Sequence, residues 1–323
     1  MARGDLVLKL VQAGMSGDKS LFERTTRAII SEEKAKDHHI LASRIEEKFQ
    51  NKNKGTSDNK NNTYYLKNKN AKNKALIERI PRFTFDDLIL NNKTLNICVE
   101  LIEEQQKADI LRANNVEPRH RVLLVGPPGN GKTSLAEAIA EELMVPLFIV
   151  SYEQLISSYL GETAKKIDEL FEFVSKRNCV LFFDEFDVLG KERGDSRESG
   201  EIKRVVSSLL MQVDDLPSNV VVVTATNHPE LLDRAVWRRF QIKLELDYPS
   251  KKDIIKWFNK FEKSINTNLK FDKEILADKL LGLSFAEIEQ FGLDVYRRLI
   301  LSGNSLKSII NERLEQWDNK IND

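Results

Sequence analysis

The sequence predicts an α/β fold: a parallel sheet sandwiched by helices, followed by a C-terminal helical lid and preceded by a small N-terminal helical unit. Three observations lead there. From about residue 80, short apolar runs alternate with helical patterns, at Arg121–Val125, Pro146–Val150, Cys179–Phe183, Val220–Ala225 and Gln241–Leu246. Buried runs spaced by helices read as parallel strands covered on both faces. A glycine-rich segment then sits between the first of these strands and the helix after it. Beyond Pro249 the strand pattern stops, and residues 250–320 carry helical periodicity throughout.

Taken from the N-terminus, residues 1–50 read as the helical unit. Leu6, Leu8, Leu10, Val11 and Ala13 precede a break at Gly14 and Gly17, and Ser20 with Glu23 has the spacing of a capping box for a second helix. Ile30, Ala35, Ile40, Leu41 and Ile45 continue at roughly helical spacing. So short a unit buries little by itself and is expected to dock on the rest of the chain or on a partner. His38 and His39 are adjacent, point different ways on a helix, and read as exposed or satisfied side chains rather than metal ligands. Residues 51–79 form the expected flexible linker, since the stretch 51–74 is mostly Asn and Lys, with seven Lys against one Asp. It has almost nothing to bury. Tyr64 and Tyr65 in that arm could stack on bases. Residues 80–248 are expected to make the α/β domain, and residues 249–323 the lid and a closing helix.

Composition narrows the function classes. Hydrophobic residues are 41% and charged residues 31%, as in a globular protein, and 50 Lys+Arg balance 50 Asp+Glu. Zero net charge gives no global pull toward nucleic acid or an anionic membrane. No apolar run approaches the roughly 20 residues that span a bilayer, and Met1-Ala-Arg-Gly-Asp lacks an apolar signal core behind it. A cytoplasmic location is expected. Cys98 and Cys179 have no second ligand at metal spacing and read as reduced core residues.

Gly126-Pro127-Pro128-Gly129-Asn130-Gly131-Lys132-Thr133 matches G-x-x-x-x-G-K-[ST], directly after one strand and opening the helix Ser134–Leu143. Its glycines let the backbone turn and aim amides at phosphate, and the helix dipole adds positive potential. Lys132 is expected to reach the β- and γ-phosphates and the Thr133 hydroxyl to hold Mg²⁺, with Ser134 next in the helix. Val180-Leu-Phe-Phe-Asp184-Glu185 is a buried strand ending in two acids, at the sheet edge where ligands bind. Asp184 is placed for Mg²⁺ and Glu185 to polarise the attacking water. Val221-Val-Val-Thr-Ala-Thr-Asn227 ends at the same edge, with Asn227 able to bond the water or the γ-phosphate. These are the parts of a P-loop NTPase that binds ATP and Mg²⁺.

With these blocks in this order, residues 82–305 resemble the AAA+ superfamily, in its main AAA family of protein-remodelling ATPases. Phe83-Thr-Phe-Asp-Asp87-Leu88 resembles the family's entry segment beside the adenine pocket, which brings in Asp87. Asn227 corresponds to sensor 1. Leu232-Asp-Arg-Ala-Val-Trp-Arg238-Arg239-Phe240 resembles the second region of homology, with Arg238 and Arg239 at the arginine-finger positions that reach a neighbouring subunit's γ-phosphate. Tyr159-Leu160-Gly161 resembles pore loop 1, whose aromatic grips an extended polypeptide, and residues 193–201 fall where pore loop 2 would be. The lid segment Gly282-Leu-Ser-Phe285-Ala286-Glu-Ile288 departs from the family, with Phe285 where a Gly is usual, and Ala286 stands at the sensor 2 position. The Gly-Asp and His38-His39 arrangement within residues 1–50 resembles that of stand-alone bacterial AAA ATPases whose genes lie beside subtilisin-like serine proteases.

The resemblance implies a homo-hexameric, ATP-driven unfoldase or remodeller that pulls a protein substrate through a central pore, with proteolysis left to a separate subtilisin-like serine protease. Two other classes compete. A nucleic-acid-linked AAA+ loader or regulator would be stimulated by DNA; Tyr159 and the balanced charge speak against it. A nucleotide-switched scaffold would not need a water-activating Glu185.

Overall fold

The computed structural model describes residues 4–35, 42, 45–46, 75–155, 160–187, 199–267, 271–301 and 308–314. They belong to two units, Met1–Tyr65 and Leu66–Asp323. His38, His39, the stretch 51–74, Tyr159 and residues 193–198 lie outside the described residues.

In the first unit, α1 (Gly4–Ser16) and α2 (Lys19–Ala35) are joined by a turn at Gly17. Ala13, Ile29 and Ile30 are buried, while Leu8, Val11 and Met15 leave an apolar stripe of α1 exposed. The second helix starts earlier than the Ser20/Glu23 pattern suggests. Asp18 Oδ1 accepts from Leu21 N at 2.9 Å, so an aspartate two residues upstream caps the helix and Ser20 falls within its first turn.

The second unit carries a six-stranded sheet of β1 (Leu76–Arg79), β2 (Arg121–Val125), β3 (Leu147–Val150), β4 (Cys179–Phe183), β5 (Val220–Thr226) and β6 (Ile242–Glu245). Its order is β1-β3-β4-β5-β2-β6. The five expected strands pair in parallel. The sheet as a whole is mixed, because β1 adds an antiparallel edge, Leu76 opposite Val150 and Arg79 opposite Leu147. This strand lies inside the 51–79 stretch read as linker. Four half-buried residues, two of them charged, make too weak a pattern to stand out. Partners distant in sequence fix it: Ser151 N donates to Ala75 O at 2.9 Å, and Arg79 Nη1 to the buried Glu137 carboxylate at 2.9 Å.

Around the sheet lie α3 (Asn92–Gln106), α4 (Ala108–Ala113), α5 (Lys132–Glu142), α6 (Tyr152–Leu155), α7 (Leu160–Ser175), α8 (Ser199–Asp215) and α9 (Arg234–Arg239). The apolar runs are continuous because both faces are covered. Along β4, Cys179, Leu181 and Phe183 join a core with α7 and α8, whereas Val180 and Phe182 join one with α3 and α5. Phe182 and Phe183 are fully buried on opposite faces. Each contributes about 2–3 kcal/mol, and together they pin the strand that delivers Asp184. Cys98 and Cys179 are buried and free, and burial pushes both thiols up to about 12.

The C-terminal helices α10 (Lys251–Ser264), α11 (Lys273–Lys279) and α12 (Phe285–Leu301), with a helical stretch at 308–314, share a separate core that includes Phe258, Phe291, Val295 and Leu314. A real capping box opens α10: Ser250 Oγ accepts from Asp253 N at 3.3 Å and the Asp253 carboxylate from Ser250 N at 3.2 Å. Lys260 Nζ of α10 donates to the carbonyls of Asp86 and Leu88, which ties these helices to the segment before α3.

Candidate functional site

Three parallel strands end at one edge of the sheet with polar groups. β2 runs into the loop Gly126–Gly131, β4 into Asp184 and Glu185, and β5, which lies between them, into Asn227. That edge is where ligands bind in open parallel sheets.

The loop is held in conformations that its glycines permit. Gly126 has φ 147°, and a Cβ there would stand 2.2 Å from the Leu246 carbonyl oxygen. Gly129 has φ 80°, and its Cβ would meet Ser284 Oγ at 2.8 Å. Gly126→Ala therefore faces both a forbidden backbone and a clash with backbone rather than with a flexible side chain. It is expected to destabilise the chain by about 2–4 kcal/mol, read as a lowered denaturant midpoint. An unchanged midpoint would show that the turn after β2 can relax.

Lys132 is 7% exposed, at the start of α5, and its Nζ donates to Gly126 O at 2.7 Å and Pro127 O at 2.9 Å. Burial pulls its pKa down, and the charges of Asp184 and Asp187 oppose the shift. Thr133 Oγ1 donates to Asp184 Oδ2 at 3.1 Å, so the two residues expected at Mg²⁺ meet across the edge. A hydroxyl and a carboxylate are hard oxygen donors suited to that ion. Glu185 has φ 49°, left-handed for a residue with a side chain, at a cost on the order of 1 kcal/mol. Its backbone N donates to Asp184 Oδ1 at 3.0 Å, and the residue is exposed. Asn227 Oδ1 is buried with no partner among the described residues.

Two residues of this edge escaped the sequence reading. Asp187 is 3% exposed and accepts from Thr226 Oγ1 at 3.0 Å and from Asn227 N at 3.4 Å, fixing the turn that carries Asn227. Its signal was a third acid two residues beyond Glu185. Tyr152, the first residue of α6 just after β3, stacks obliquely on Phe183, with ring centroids 6.5 Å apart, and buries a hydroxyl that has no partner among the described residues. Burial and the charges of Asp184, Asp187 and Glu185 raise its pKa well above the ordinary value, so it stays a neutral donor.

The remaining expected site residues are distributed over the loop, α5, α7, α9 and the segment before α3. Asp87 closes its own short turn, its Oδ2 accepting from Thr84 N and Thr84 Oγ1, both at 2.9 Å. Phe85, Leu88 and Leu90 of that segment pack partly buried against the core that includes α5. Pro127, Pro128 and Gly131 belong to the loop, and Ser134 lies in the first turn of α5. Leu160 and Gly161 begin α7. The two arginines of α9 part company. Arg239 Nε donates to Asp214 Oδ2 at 2.7 Å, and Asp214 Oδ1 accepts from Arg121 Nη1 at 2.7 Å. Arg238 is exposed and makes no hydrogen bond or ion pair among the described residues.

Residues 122–248 match the family model described as ATPase family associated with various cellular activities (AAA). An uncharacterized AAA family ATPase, y4kL, of Sinorhizobium fredii is 37% identical over 303 residues, covering 93% of this chain and 90% of that protein. A putative 26S proteasome regulatory subunit homolog of Methanothermobacter marburgensis is 33% identical over 210 residues, 64% of this chain and 56% of that one. The proteasome-activating nucleotidase of Saccharolobus solfataricus is 33% identical over 260 residues, 78% of this chain and 65% of that one. The chain thus spans between half and two thirds of the two archaeal relatives.

Proposed function

This chain belongs to the AAA family of ATPases, and on that premise we propose that it is an ATP-driven protein unfoldase or remodeller working as a homo-oligomeric ring, expected to be a hexamer. In this reading Lys132 exchanges the carbonyls of Gly126 and Pro127 for the β- and γ-phosphate oxygens. Thr133 and Asp184 would hold Mg²⁺, which would supply positive charge against the transferring phosphoryl group. Glu185, turned out at the end of β4, polarises the attacking water. Asn227, on the turn braced by Asp187, orients it.

The observation that carries the ring is the unequal use of the two arginines. Asp214 engages Arg239 inside the subunit, which leaves Arg238 exposed to complete a neighbour's site. A closed ring lets every site receive one. The two archaeal relatives are named for the proteasome, which supports polypeptide as the substrate class. A separate subtilisin-like serine protease is the proposed acceptor of the unfolded product, on the resemblance of residues 1–50. Among the described residues no helix is long and apolar enough to cross a membrane.

The test uses Tyr159, the proposed gripping residue. Tyr159→Ala is expected to hydrolyse ATP near the wild-type basal rate while losing both stimulation by an unfolded protein and unfolding of a folded reporter. Stimulation of the wild type by DNA and not by unfolded polypeptide would overturn the reading in favour of a nucleic-acid-linked motor.

A further inference from the structure

The phosphate loop and α12 meet through a small set of bonds. Asn130 is 6% exposed, and its side-chain oxygen accepts from Phe285 N, the first residue of α12, at 3.1 Å. Which end of the amide faces the helix is fixed by chemistry, since a backbone N–H can only donate and only the oxygen can accept. One residue on, Ala286 N donates to Gly129 O at 3.0 Å. Two of the free amides that every helix start leaves over therefore end on the loop. Ser284 serves the same turn from the other side: its N and Oγ both donate to Glu287 Oε2 at 2.7 Å.

The seat is tight. A Cβ on Gly129 would lie 3.0 Å from Ala286 Cβ as well as against Ser284. Within it, Asn130 Nδ2 is buried with no partner among the described residues. An amide with one end satisfied and its donor end buried and unused is costly to keep. The residue lies two positions before Lys132, in the loop that binds nucleotide, so a phosphate or ribose oxygen is the acceptor chemistry available to that donor when the site is filled.

We propose that Asn130 is a positioning residue with two tasks: its oxygen holds the first turn of α12 to the phosphate loop, and its N–H₂ group donates to an oxygen of the bound nucleotide. One side chain then sets helix and nucleotide in register. The inference rests on the loop being the nucleotide site and assigns within it a role to a side chain whose neighbours act through their backbone.

The test compares Asn130→Asp and Asn130→Ala in the full chain, by two readouts. One is the Kd for fluorescent ATP and ADP analogues with Mg²⁺; the other is hydrogen exchange at the amides of Phe285 and Ala286 without nucleotide. Asp has the same shape and still accepts from Phe285 N, and its charge suits a helix start. It is expected to keep the amide protection and to lose about tenfold or more in nucleotide affinity, because an anion replaces the donor. Ala is expected to lose both. Wild-type affinity in Asn130→Asp would remove the amide nitrogen from nucleotide binding, and wild-type protection in Asn130→Ala would remove the oxygen from holding α12. If the wild-type chain binds no nucleotide, or Lys132→Ala binds it unchanged, the reading of the loop itself fails, separately from the part given to Asn130.

Discussion

Glu185→Gln is expected to bind ATP as the wild type does and to turn it over about 10²–10⁴-fold more slowly, the range that a positioned general base contributes. The argument is geometric. Glu185 makes its backbone contribution through N–H to Asp184 Oδ1, which glutamine retains, and its side chain is exposed beyond the strand end. Thr133 and Asp184 still meet across the edge, and Lys132 stays in the loop. Only the carboxylate that would take a proton from water is gone. Lys132→Ala should differ in kind, losing affinity first, because the buried ammonium is the loop's own positive charge. Equilibrium binding with a fluorescent nucleotide and single-turnover hydrolysis separate the two. Ordinary turnover in Glu185→Gln would take Glu185 out of the reaction and leave Tyr152 and Asp187 as the polar groups to test next.

Much of this site is readable in the chain because its parts are local. Gly126–Thr133 is one turn between a strand and a helix. The Asp184–Glu185 pair sits immediately after four apolar residues, so burial and ligand edge are declared by the same short string. The inward and outward alternation of Val220–Ala225 cannot be read locally, since both faces are apolar; only the flanking helices show that the run is a strand covered twice. What escaped was non-local. β1 is held by Ser151 and Glu137, far away in sequence. Asp214 is the partner of Arg239 only because the end of α8 comes beside α9. Tyr152 looks like any aromatic after a strand until β4 brings three carboxylates beside it. The capping misreading at Ser20 has a simpler cause: Asp18 is also a good cap, and which of two nearby candidates wins depends on where the chain leaves the preceding turn.

Arg238→Ala is expected to bind ATP normally, remain folded and hydrolyse it about 10³-fold more slowly or worse, the scale of an arginine supplied across an interface. The side chain is exposed and makes no hydrogen bond or ion pair among the described residues, so its removal takes away nothing that holds the subunit together. Arg239→Ala should behave otherwise, because it breaks the bridge to Asp214 and leaves Arg121 as that carboxylate's described partner; its effect should appear in stability as well as rate. The arrangement also predicts complementation. In the proposed ring, Arg238→Ala would be defective toward its neighbour, and Lys132→Ala toward its own nucleotide. Mixed in one ring, some interfaces pair an intact Lys132 from one subunit with an intact Arg238 from the next. Those sites should hydrolyse ATP, so a titration of one inactive variant into the other should pass through a maximum. Sedimentation in saturating ATP shows whether the two have co-assembled. Either co-assembled mixtures without activity or a wild type that stays monomeric in saturating ATP would mean that Arg238 serves no neighbouring site, and a nucleotide-switched scaffold would then describe this chain better than a ring motor.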